Sequence, residues 1–390
     1  MGAKAPSPDP GGSPPAEGPC PAGVRQVIDK RDIVLLCNPT AGGRWKELAS
    51  ILDLDEARFV RRIVTDAIED IVPAILALSR RTKLLCVYGG DGTIQRVLDA
   101  LHRSPWVGDP PQLAFIGGGT MNVAARWCGL THSPAHNFRS VVSGYRRGEL
   151  AMRDVPLLQV GDGEAFHYGL TFAMGPPVRV LAAYEDGRKG KLVAAAAALR
   201  GLTAAWSGRP KQWRRIVAEM TATVTVDDER LPFERYVAVV CSVMSTINPT
   251  VEPFARARSP ETFHCLAYAV SPREFLLALP LLWRGYLPVV ARSLLRPAST
   301  WKQLGLAYFG KGVVPSDPRY VNRSAKRLSV EATDEVYTVD GEVLPLKGHA
   351  VKVSLGPLVR LAVAPDAGLG SVLRLATRVR RFVPGRRRPE

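Results

Sequence analysis

Apolar positions in the first 150 residues switch between two patterns. Residues 32–37, 83–88 and 112–116 are short apolar runs of the kind that form buried strands. Behind the second run, Ile94, Val97, Leu98 and Leu101 fall at i, i+3, i+4 and i+7, one face of a helix. A helix candidate begins near Trp45, and an apolar segment spans 123–128. Residues 57–64 read as a further strand. Thr65 is then a plausible N-cap for a helix with Ile68, Ile71, Val72, Ile75 and Leu76 on one face. Pro73 lies inside that pattern and implies a late start or a kink.

After about residue 150 the period shortens to two. Residues 155–160 and 164–174 are strand-like, joined by the hairpin signal Gly161-Asp162-Gly163. Residues 215–226 and 231–243 alternate around Asp227-Asp228, and 325–332, 336–339 and 350–355 add strands. Residues 192–202, with an alanine run, read as a helix. Residues 271–309 hold two apolar stretches interrupted by Arg284, Pro280 and Pro288, so a transmembrane helix is not expected there. They read either as amphipathic helices packed on the second domain or as an interfacial segment with arginines at lipid phosphates. The expected organisation is a disordered Pro/Gly-rich tail at 1–24, an α/β domain at 25–150, a β-rich domain with inserted helices at 151–365 and a basic tail at 366–390. The first segment lacks the apolar core of a signal peptide.

Composition changes this picture in one respect. The 52 Lys+Arg against 36 Asp+Glu leave a net charge of +16, a field that attracts nucleic acid or an anionic membrane surface. Zinc-finger spacing, RNA-binding aromatic motifs and basic heptads are absent from the sequence, which favours the membrane. The six cysteines form no C-x-x-C pair and the histidines no ligand cluster, so reduced thiols and no zinc site are expected.

The chemistry lies where the strand runs end. Each of the first three is followed by a glycine turn with a short polar residue: Asn38-Pro39-Thr40-Ala41-Gly42-Gly43, Gly89-Gly90-Asp91-Gly92-Thr93 and Gly117-Gly118-Gly119-Thr120-Met121-Asn122. A glycine turn opening a helix lets backbone N–H groups approach a phosphate, and the helix N-terminus adds partial positive charge. Three such units describe a parallel sheet whose loops converge at its carboxyl edge, where ligands bind in open α/β sheets.

These motifs, in this order, resemble the catalytic domain of the diacylglycerol kinase and sphingosine kinase family. Two further matches are Arg153-Asp154-Val155 and Val339-Asp340-Gly341-Glu342, and order and spacing agree from about residue 30 to 365. The resemblance implies a Rossmann-like α/β nucleotide-binding domain, a C-terminal β-sandwich-like domain and an active site in the cleft between them. It implies ATP and Mg²⁺ as cofactors. The nucleotide would be held by Asn38, Pro39, Thr40, Gly42, Gly43, Gly89, Gly90, Gly92, Thr93, Gly119, Thr120 and Asn122. Asp91, Glu342 and Asp154 are the implied catalytic carboxylates, with Glu342 and Asp91 equal candidates for the base, Asp154 in support and Asp91 also reaching the metal through water. The partner is a lipid substrate at an anionic membrane surface, and the implied location is cytoplasmic, on the inner face of the membrane.

The chain departs from the family pattern in places. Gly117 stands where proline is usual, and Val123 where aspartate is common. Residues 253–266 lack the acidic pair that holds a structural Mg²⁺ in bacterial relatives. Pro176 and Pro177 stand where sphingosine kinases place an aspartate towards the lipid amine, which disfavours a sphingoid base and leaves diacylglycerol or a related lipid alcohol. An NAD kinase shares the Gly-Gly-Asp-Gly turn, and a non-catalytic ATP- or membrane-binding relative is a third reading.

Overall fold

In the computed structural model the described residues are 24–27, 32–39, 45–102, 106, 109–119, 122–163, 165–176, 178–179, 218–246, 251–254, 258–285, 287–288, 317–333 and 336–364. The first domain is an open sheet. Strands β2 (Ile33–Cys37), β3 (Arg61–Thr65), β4 (Leu84–Gly89) and β5 (Gln112–Gly117) run parallel in the order β3-β2-β4-β5, and β1 (Val24–Val27) adds antiparallel to β3. β2 and β4 are buried along their whole length, as expected for strands covered on both faces. The helices are α1 (Trp45–Leu52), α2 (Ile71–Leu76), α3 (Asp91–Leu101), α4 (Val123–Trp127) and α5 (Pro134–Arg147). On α3 the apolar stripe Ile94, Val97, Leu98 and Leu101 is buried.

Two local expectations fail. Residues 57–64 do not form one strand: a 3₁₀ turn covers Asp55–Phe59, and β3 starts at Arg61. Thr65 does not cap a helix. It is buried at the end of β3, where its hydroxyl donates to the Cys37 carbonyl. The helix starts late, after Asp70, because Pro73 fits only in a first turn.

The second domain is antiparallel. Its strands are β6 (Met152–Gly161), β7 (Phe166–Gly169), β8 (Thr171–Met174), β9 (Met220–Val226), β10 (Glu229–Arg230), β11 (Arg235–Tyr236), β12 (Ala238–Ser242), β13 (Phe263–Tyr268), β14 (Tyr320–Ala325), β15 (Arg327–Ala332), β16 (Val336–Val339), β17 (Glu342–Pro345) and β18 (Ala350–Ala362). Sheet β14-β13-β12-β8-β16-β17 stands alone, whereas β6, β7, β9, β10, β11, β15 and β18 continue the sheet of the first domain. The expected run 164–174 is broken at Leu170, where the chain leaves one sheet for the other. Helix α6 (Pro272–Leu282) opens with a capping box between Ser271 and Glu274. The expected helix at 192–202, both chain tails, and Arg292 and Arg296 of the 271–309 segment lie outside the described residues.

β18 joins the halves. It pairs antiparallel with β6 and β15, and its Leu361 lies beside Leu113 of β5 in parallel register. The two domains therefore share a hydrogen-bonded sheet as well as a core. Leu361 is fully buried, so Leu361→Ala should cost about 2–5 kcal/mol. Urea unfolding followed by circular dichroism should show both domains shifting together in one transition.

Candidate active site

The carboxyl ends of β2, β4 and β5 bring the described parts of the three glycine turns together. The Asn38 N–H donates to the Tyr88 carbonyl at 2.9 Å, and its buried side-chain amide donates to the Thr93 hydroxyl at 3.0 Å. Gly118 N–H donates to the Gly89 carbonyl at 2.8 Å. A Cβ on Gly119 would lie 2.6 Å from the Gly90 Cα, so these two backbones touch only because residue 119 is glycine. Asn122 adopts left-handed backbone with φ 50°, and its side-chain oxygen accepts from Gly119 N–H at 2.8 Å. Of the expected nucleotide residues, Asn38, Pro39, Gly89, Gly90, Gly92, Thr93, Gly119 and Asn122 lie at this edge; Thr40, Gly42, Gly43 and Thr120 lie outside the described residues.

Asp91 opens α3 but turns to the next loop. Its carboxylate accepts from Ala124 N–H at 3.4 Å, at the start of α4. Burial raises its pKa, while the amides of Ala124, Val123 and Asn122 and the charge of Arg126 oppose the rise. This carboxylate ties the second turn to the third.

The second domain contributes a two-residue hairpin. Asp340 and Gly341, with φ 51° and 86°, join β16 to β17, as an Asp-Gly pair favours. The hairpin lies over the start of α3: Glu342 pairs with Arg96 at 3.2 Å, and a Cβ on Gly92 would stand 3.2 Å from the Glu342 carboxylate. Asp340 accepts from the N–H groups of Leu170 and Thr171 at 2.8–3.0 Å and from the Thr171 hydroxyl at 2.9 Å. Burial pushes its pKa up to about 7 against the pull of those donors, and the charge of Asp91 adds to the rise.

Asp154 is not brought to this place. It lies on β6 opposite Arg360, which it faces at 3.7 Å. Arg360 and Gln112 line the same cavity at the amino edge of the sheet. That edge is separated from Gly117 by the length of β5, about 17 Å. Asp154 is exposed and belongs to the far side because β6 begins opposite the carboxyl end of β18, where Leu361 lies beside Leu113 near the start of β5.

Sequence reasoning passed over Asp340 and Arg96. Asp340 sits inside the quoted Asp-Gly-Glu match, but the turn accounts for an Asp-Gly pair by itself. Arg96 follows Gly92 at i+4, beside the apolar stripe of α3; its partner is 246 positions away.

The profile of the diacylglycerol kinase catalytic domain matches residues 32–150. A Bacillus anthracis structure described as a diacylglycerol kinase is 14% identical, with TM-score 0.55, over 87% of this chain and 100% of its own. A second structure from that organism is 17% identical, with TM-score 0.57 and the same coverage. An NAD kinase from Archaeoglobus fulgidus solved with ATP reaches 12% identity and TM-score 0.43 over 90% of this chain and all of its own, too distant to bear on substrate. No curated protein matches the sequence. At these identities the structural likeness is one of fold.

The two-domain fold is similar to that of these Bacillus anthracis structures. Over residues 32–150 the chain carries a diacylglycerol kinase catalytic domain.

Thr93→Val should remove one partner of the buried Asn38 amide and cost about 1 kcal/mol. A lowered thermal midpoint, with an unchanged circular dichroism spectrum, is the expected result.

Proposed function

We propose that the protein is an ATP-dependent lipid kinase that phosphorylates the hydroxyl of diacylglycerol or a related lipid alcohol. The observation that carries this reading is the Asp340-Gly341-Glu342 hairpin of the second domain, laid over Gly92 where the glycine turns converge. One side of the cleft is then built for phosphates and the other supplies carboxylates.

Phosphoryl transfer to an alcohol requires positioning, charge neutralisation and a proton acceptor. Backbone N–H groups at Gly90 and Gly92 and the N-terminus of α3 would hold the nucleotide phosphates. Asp340 suits the base better than Asp91 or Glu342. All three are engaged, Asp91 with the start of α4, Glu342 with Arg96 and Asp340 with Leu170 and Thr171, and what sets Asp340 apart is a pKa raised to about 7. The Asp340 carboxyl, pushed up to about 7, can take a hydroxyl proton near neutral pH.

Among the described residues no three His, Cys, Asp or Glu side chains converge as a metal site. A Mg²⁺ ion would take phosphate oxygens of the nucleotide among its ligands. Asp91 could hold some of its waters. When bound, the ion would offset phosphate charge.

Two features support an acceptor in a membrane. On α6 and just beyond it, Leu277 and Trp283 are 67% and 48% exposed, beside exposed Arg273 and Arg284. The chain also carries a net charge of +16. Among the described residues no helix is long and apolar enough to cross a membrane, so contact would be peripheral, through apolar side chains and arginines at anionic head groups. Pro176 after Gly175 offers no charge to a sphingoid amine.

The test is transfer of labelled γ-phosphate from Mg-ATP to a lipid panel in mixed micelles, with NAD in parallel. Label in a glycerolipid supports the reading, and label in NAD alone overturns it. Asp340→Asn should lower turnover roughly 10²–10⁴-fold. Because the base acts deprotonated, wild-type turnover should rise with pH up to about 7 and level off above it; a profile flat from pH 5 to 8 would exclude Asp340 as the base. Gly119→Ala should weaken Mg-ATP binding by about 1–3 kcal/mol, measured by calorimetry, since the added Cβ drives two backbone loops apart.

A further inference from the structure

Helix α3 presents two stripes. The apolar one packs on the first domain; the other carries Gly92, Arg96 and Asp99 at i, i+4 and i+7 and faces the second. Gly92 and Arg96 meet Glu342. Asp99 is 6% exposed and lies on a helix that already satisfies its own backbone. A carboxylate so placed is costly unless it is fully bonded. Its oxygens accept from the Tyr168 N–H at 2.6 Å, the Gln95 amide at 2.8 Å and the His167 ring nitrogen Nδ1 at 3.0 Å. One turn on, His102 packs its ring against Tyr168 with centroids 4.9 Å apart.

The segment that Asp99 grips is the one that holds Asp340. Tyr168 is followed by Gly169, at which a Cβ would meet Asp340 at 2.7 Å, and then by Leu170 and Thr171, whose N–H groups both donate to the Asp340 carboxylate. The path from Asp99 to Asp340 is therefore one charge-assisted hydrogen bond, the short run of chain from Tyr168 to Leu170 and a second set of hydrogen bonds. Asp91 opens the same helix eight residues earlier.

We infer that Asp99 is a positioning residue: through Tyr168 it holds the Leu170–Thr171 amides, and with them Asp340, at a set distance from the glycine turns at the head of α3. The catalytic part of this inference rests on the kinase reading with Asp340 as base. The mechanical part does not. Loss of the Asp99 carboxylate frees strand β7 from α3 without touching the nucleotide loops, so chemistry should suffer while nucleotide binding does not. Loosened amides also withdraw the donors that hold the Asp340 carboxylate charged, so the acid limb of the pH profile should move to higher pH.

The experiment compares wild type, Asp99→Ala and Asp99→Asn. Asp99→Asn keeps one acceptor oxygen for Tyr168 and carries the test if Asp99→Ala does not fold. Hydrogen–deuterium exchange by mass spectrometry should quicken in peptides covering 167–171 and stay unchanged in 84–89. Turnover of Asp99→Ala should fall roughly a hundredfold with KM for ATP unchanged and the acid limb displaced upward; Asp99→Asn should recover part of both. Unchanged exchange at 167–171 overturns the clamp. Faster exchange there with unaltered turnover and pH profile overturns the positioning role. If wild type phosphorylates no acceptor, the kinase reading and the catalytic half of this inference fall together, and the exchange result alone decides the clamp.

Discussion

The ion pair of Arg96 with Glu342 and the hydrogen bonds that Asp99 accepts from β7 fasten one helix of the first domain to two strands of the second. A cleft between two domains has catalytic value only if groups on its two walls keep their distance to within a fraction of an ångström. Relative motion is the default for domains joined by a chain alone. Here the sheet is continuous through β5 and β18, and α3 is bonded sideways to the hairpin and to β7. The cleft is in effect bounded by one rigid element. Its head carries Asp91 and the second glycine turn, and its flank is bonded to Glu342 and to β7.

The glycines serve the same end from the other wall. Gly119 lets two loops meet backbone to backbone at Gly90, and Asn38, Thr93 and Asn122 fill the space around them with hydrogen bonds internal to the loops. Asp91 belongs to this framework as much as to any chemistry, since its carboxylate holds the start of α4. A buried carboxylate facing several backbone N–H groups stabilises the loop that supplies them; Asp340 does this for Leu170 and Thr171, and burial and the charge of Asp91 raise its pKa to about 7 against those donors.

The amino-acid sequence by itself determined the parallel strands, the apolar face of α3, the glycine turns and the Asp-Gly hairpin. These depend on period, on backbone freedom and on neighbours a few residues apart. Local pattern misled at 57–65, where apolar residues of a 3₁₀ turn and a strand run together, and where the Thr65 hydroxyl prefers a carbonyl of β2 to a helix N-terminus. Only the tertiary structure decided which carboxylates share the cleft. Asp154, Asp340 and Glu342 look alike in sequence as acidic residues in matching motifs. β6 takes Asp154 to the amino edge beside Arg360, while β16 and β17 take Asp340 and Glu342 to the head of α3. The same holds for Asp99, one more acidic residue on a helix until β7, nearly seventy positions away, supplies two of its donors. Such pairings are set by strand order and register across the whole chain, and no local spacing encodes them.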